Sequence, residues 1–221
     1  MKYFSLLTAA LLLSSAPLAA QHPVSLDFSF GLEGVVTTEL GADAIPIGSA
    51  VLADGKIAML AELLDDEVRS LLLMRFHPNG TPDVSFGNAG RIVHPMPEQV
   101  ADFIRHVKFY IQTGAFLLSS DEQYTGQAYI ARFQPNGALD TSFGNGGAFE
   151  GNQSTCEQFS RLELLPNGRI LAAGSGCSNE MRLIRLTANG SRDLSFGSSG
   201  SATASIQNAS LEVTALALQP D

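Results

Sequence analysis

The chain has 221 residues, 45% of them hydrophobic, with no Trp and a formal net charge of -9. That composition belongs to a soluble globular protein. The acidic balance repels phosphate backbones and anionic lipid headgroups, which argues against nucleic acid and membrane surfaces as main partners.

The first twenty residues, MKYFSLLTAALLLSSAPLAA, set one Lys before an apolar run from Tyr3 to Leu13, followed by small residues up to Ala20. This is the pattern of a secretory signal peptide cleaved after Ala20. The run is shorter than the roughly 20 apolar residues a bilayer requires, and Ser14, Ser15 and Pro17 follow it. Residues 21–221 are therefore expected to be secreted or periplasmic, with no membrane span once the signal is removed.

Four copies of one marker punctuate this remainder: DFSFGLEG from Asp27, DVSFGNAG from Asp83, DTSFGNGG from Asp140 and DLSFGSSG from Asp193, at intervals of 56, 57 and 53 residues. Before three of them stand RFHPNG from Arg75, RFQPNG from Arg132 and RLTANG from Arg185. Each reads as a strand entering an Asn-Gly turn. Further upstream a hairpin recurs, clearest in LELLPNGRILAAG from Leu162, with Asp54-Gly55 as the turn of the first copy and one extra residue in the second, VKFYIQTGAFLLSS. A unit then comprises a strand after the last Gly of the marker (GVVTTEL, GRIVHP), two strands joined by a tight turn, a fourth strand and the marker. Four antiparallel strands repeating at this period predict an all-β, propeller-like array. The units fall at approximately 34–87, 90–144 and 147–197, with a partial one at 200–221. The stretch PEQVADFIRHVKF also fits a helical face. Aligned with the third unit, LEVTALALQPD stops at the first residue of a hairpin turn, so the expected propeller is incomplete, with open blade edges through which copies could self-associate.

The recurrent residues read as structural. Phe30, Phe86, Phe143 and Phe196 are expected to anchor a polar connector between sheets, each able to bury on the order of 150 to 250 Å². Asp27, Asp83, Asp140 and Asp193 cap the turn in this reading; calcium is the alternative, but one carboxylate per loop is too few for it. Arg75, Arg132 and Arg185 stand eight residues before a marker Asp, and pair with it or with connector carbonyls; the alternative is a substrate-binding ring along a central channel. His22, His77, His94 and His106 share no repeat position and form no metal pair, so they are read as surface residues. Cys156 and Cys177 fall one diagonal step from direct opposition across the Asn167-Gly168 hairpin, and a disulfide is expected in an oxidising compartment. No set of residues reads as catalytic, metal-binding or cofactor-binding.

LDTSFGNGG, RFQPNG and LLPNGRILAAG together resemble the delta-60 repeat family over almost the whole mature chain, which implies a β-propeller fold and transfers no catalytic residue. The second unit departs at IQTG, and the first marker has a shortened flank from Val24 to Asp27. What differs among units carries function in such folds: Glu39–Pro46, Leu64–Arg69, Pro95–Arg105, Asp121–Gly126 and Glu150–Gln158. The function expected is an exported, non-enzymatic scaffold for an unknown ligand or protein. The alternative is an extracytoplasmic hydrolase or lyase with blade-specific channel residues.

Overall fold

The computed structural model describes residues 25–65, 68–96, 103–121, 127–176, 180–205 and 211–219. The expected signal peptide, His22 and Cys177 lie outside them. Twelve strands form three four-stranded antiparallel sheets. The first contains β1 (Asp43–Val51), β2 (Ile57–Asp65), β3 (Val68–Phe76) and β4 (Arg91–Pro95); the second β5 (Phe103–Phe109), β6 (Phe116–Asp121), β7 (Ala128–Phe133) and β8 (Ala148–Glu150). The third contains β9 (Gln158–Leu164), β10 (Ile170–Ser175), β11 (Glu180–Leu186) and β12 (Ser201–Ser205). A three-residue 3₁₀ turn at Gln153–Thr155 is the only helical element among the described residues, none of which forms a helix long and apolar enough to cross a membrane. The described part of PEQVADFIRHVKF is strand β5, not helix.

Each first hairpin closes on a glycine in the left-handed region: Gly55 at φ 79°, Gly114 at 76° and Gly168 at 78°. That conformation is inexpensive only for glycine, which is why the turn motif marks the hairpin so clearly. The unit boundaries differ from those read in sequence. Strand β4 follows the second marker, yet it pairs back onto β3, Leu72 opposite Val93, within the same sheet. The marker therefore links the third and fourth strands of one blade and does not join two blades. The blades run 43–95, 103–150 and 158–205, out of phase with units starting at 34, 90 and 147. GVVTTEL is correspondingly no strand of the first blade, because Val36 to Leu40 lie outside the three sheets.

The first strands β1, β5 and β9 lie side by side, which orders the blades as an arc with the second in the middle. One face of the first blade, including Leu60, Leu71 and Leu73, packs on Phe109, Phe116, Leu118 and Phe133 of the second. Phe116 and Phe133 stack at 4.9 Å, nearly parallel. The opposite face of the second blade contributes Leu117 and Ile130 to a core with Phe159, Leu162, Ile170 and Ile184 of the third. All six residues of β6 are buried. Two further segments cover the ends of the arc. Val36 and Leu40 lie on the outer face of the first blade, and residues 211–219 lie along the third, where Val213 and Thr214 carbonyls accept from Ser160 Oγ and Arg161 Nε.

Candidate functional site

Strand direction sorts the loops. The hairpin turns and the markers gather at one end of every blade, and the described residues of the variable stretches lie at the other.

At the marker end, Arg75 Nε donates to Asp83 Oδ2 at 2.8 Å, Arg132 to Asp140 at 2.7 Å and Arg185 to Asp193 at 2.8 Å. The same guanidinium lies over the marker ring, 4.3 Å above Phe86 and 4.8 Å above Phe143 and Phe196. Asp Oδ1 accepts from the hydroxyl and amide of the Ser two residues on, in all four markers. A second cation joins two of the carboxylates, Lys56 at Asp83 and Arg169 at Asp193; Ala115 holds that position in the second blade. These contacts stabilise the charged carboxylates. The Ser85 hydroxyl, then Lys56 and Arg75, hold Asp83 far below the usual carboxylate range. The Ser195 hydroxyl, followed by its amide and Arg185, brings Asp193 down to about 2. Asp140 is lowered in the same way by Ser142 and Arg132.

The markers at Asp27 and Asp140 also dock on the following blade. Gly144 N–H donates to the Asn189 carbonyl at 2.8 Å, and Gly31 N–H to the Asn79 carbonyl at 2.8 Å. Phe143 is fully buried and Phe86 nearly so, whereas Phe30 and Phe196, at the two ends of the arc, are only half-buried. The three arginines belong to third strands, set off from the adjoining first strands by an intervening one, and face the marker; they form no channel ring. Among the described residues no group of three His, Cys, Asp or Glu side chains could hold a metal ion. His106 differs from the surface reading: it is half-buried, and burial together with Arg161 and Lys108 pushes its imidazole pKa down.

At the loop end, residues that do not repeat converge. Each first strand carries a β-bulge at the same place, with Ile47, Arg105 and Ser160 as the extra residues. Bulges re-aim a side chain, and they concentrate beside functional sites. Arg105 turns onto Asp121 in a bidentate pair, Nε and Nη2 each 2.8 Å from a carboxylate oxygen, with Asp121 only 4% exposed. Between the second and third blades this pair opens on a cleft of about 170 Å³ lined by Gln158, Ser160, Ser175 and Glu212 as well. Its formal charge is negative, because Arg105 offsets Asp121 and leaves Glu212. The cleft has room for one side chain or a small head group, less than the several hundred Å³ of a typical ligand pocket.

Sequence reading singled out none of these residues as a group. Asp121 and Arg105 appeared only as the bounds of variable stretches, since a bulge leaves no local motif. Glu157 was missed for the same reason: it is 2% exposed, accepts from Arg192 at 2.6 Å and from the Asn152 amide at 2.9 Å, and ties the link after the second blade to the residue before the fourth marker.

No curated protein and no solved structure matches the chain. Residues 52–86, 119–143 and 165–196 match the family described as "Domain of unknown function (DUF5122) beta-propeller", and each matched segment ends on or beside a marker Phe. The correspondence of three segments with three blades supports a bacterial β-propeller repeat family.

Proposed function

We propose that this β-propeller scaffold is exported and non-enzymatic, and that it binds a protein side chain or small ligand at its loop end. The observation that supports this reading is the division of polar chemistry between the two ends. The recurrent Asp, Ser and Arg side chains are engaged with one another at the markers, whereas Arg105, Asp121, Gln158, Ser160, Ser175 and Glu212, drawn from two blades and the 211–219 segment, share one cleft. An acidic, hydrogen-bonding cleft of this size suits an amine or guanidinium group. Export rests on the first twenty residues, and assignment to the delta-60 repeats rests on the marker and turn motifs.

The hydrolase or lyase reading draws on the same cleft, whose residues are blade-specific. Against it, the one buried acid of the cleft, Asp121, already has both carboxylate oxygens engaged by Arg105. Thermal-shift assays with short peptides ending in Lys, Arg or Glu, run beside chromogenic ester, lactone and glycoside substrates, separate the two. Stabilisation by the cationic peptides, lost in Glu212→Gln and without turnover, is the expected result. Turnover abolished by Asp121→Asn would replace this reading with the enzymatic one.

A further inference from the structure

The marker at Asp27 is complete on one side and open on the other. It docks on the first blade as the Asp140 marker docks on the third: Gly31 donates to the Asn79 carbonyl as Gly144 does to Asn189, and Phe30 lies beside Gly80 as Phe143 lies beside Gly190. On its inner side the other three markers each receive four contacts from a third strand. The strand's Arg amide donates to the last marker Gly (Gly90, Gly147, Gly200), and its carbonyl accepts from the marker Asp amide. Its guanidinium meets Asp Oδ2 and covers the Phe ring. Asp27, by contrast, is held by Ser29, and among the described residues no arginine reaches it or Phe30.

We infer that the Asp27–Phe30–Gly34 marker is a binding socket for an arginine-bearing β-strand, one that lies antiparallel against Val35 and Val36 and runs into an Asn-Gly turn. A neighbouring hollow fixes what else that strand must carry. In the first blade, Leu73 and Leu71, two and four residues before Arg75, share its side of the strand and fill the core toward the next blade. The equivalent space beside Phe30 is an apolar hollow of about 410 Å³, lined by Val36, Ile57, Met59, Met74 and Phe76 among others. The strand therefore presents apolar residues at those two positions and Arg at the third. Its source is a partner strand of the repeat type. The third strands described here are excluded as donors, because each has its Arg on its own marker.

The test uses the 21–221 chain and a fluorescent peptide of residues 127–137, QAYIARFQPNG, which carries a single Arg. Saturable binding by anisotropy is expected, weakened tenfold or more by Arg132→Gln in the peptide and, independently, by Asp27→Asn in the protein. Amide shifts should localise to residues 27–36. Equal binding of both peptides, or none up to roughly millimolar concentration, would overturn the socket. Sedimentation equilibrium covers the rival occupant: a dimer that dissociates in Asp27→Asn would assign the socket to a second copy and sink the partner-strand inference. The loop-end reading is untouched by any of these results, since none of its residues lies near Asp27.

Discussion

Gly190 of the third blade lies against the ring of Phe143 from the second, so close that a β-carbon there would stand 2.9 Å from Phe143 Cε2 and 2.7 Å from the Gly144 amide nitrogen. The residue also has φ 84°, where a side chain is strained on its own account. Gly190→Ala should therefore destabilise the fold by about 2 to 5 kcal/mol, from the left-handed dihedral together with the clash. Gly146→Ala is the control, at φ 65° with nothing within 4 Å. It should show only the dihedral share, about 1–2 kcal/mol. Urea unfolding of both variants measures the difference.

Arg132→Met removes the Asp140 pair, a hydrogen bond to the Ala188 carbonyl at 2.7 Å and the cover over Phe143 at once. Asp140 and Ala188 are left without that partner, and Met restores most of the apolar volume. With Arg132 and Asp140 each one-fifth exposed, the expected loss is about 2–3 kcal/mol. Urea titration should show a lower midpoint with an unchanged m-value.

Acid should weaken the fold through the marker carboxylates. Asp193 has its folded pKa depressed to about 2 from an ordinary 3.8, and Asp83 and Asp140 are lowered as well. A group depressed on folding stabilises the native state above its unfolded pKa, and that contribution disappears as pH falls through the folded value. The urea midpoint should accordingly hold above about pH 4 and decline toward pH 2. Ser195→Ala should lessen the decline, since the Ser195 hydroxyl is the largest cause at Asp193.

The hairpin register bears on the cysteines. Pairing runs Ile170 opposite Leu164, then slips at the bulge beside Ala173 so that Ser175 faces Gln158. Cys156 stands two residues before β9, and position 177 lies outside the described residues. Among the described residues no cysteine is free. We propose the Cys156–Cys177 bridge: thiol titration of the unfolded, unreduced protein should find no thiol, and reduction should lower stability by about 3 kcal/mol. Two titratable thiols would refute it.

The repeat was legible because its signals are local. Asp140, Ser142, Phe143 and Gly144 act on one another within five residues, and the eight residues from Arg132 to Asp140 are the span across which their ion pair forms. The phase of the blade was not legible. Strand β4 joins β3 across the whole marker, and nothing in RIVHP says whether it pairs backward or forward. The cleft was hidden for a related reason: Arg105 and Ser160 owe their positions to bulges, which arise from pairing between strands and carry no signature in either one.

Strand β6, enclosed on both faces, sets the order in which the molecule opens. In an array where each blade is stabilised by its neighbours, the end blades open at lower free energy than the middle one. Amide exchange at Phe116 to Asp121 should consequently be the slowest in the protein, reporting global unfolding, while the exposed face of β1 exchanges through local fraying. Asp121 is the last residue of that strand, so the acid at the base of the cleft is expected to share its slow exchange and to hold its place for as long as the middle blade stays folded.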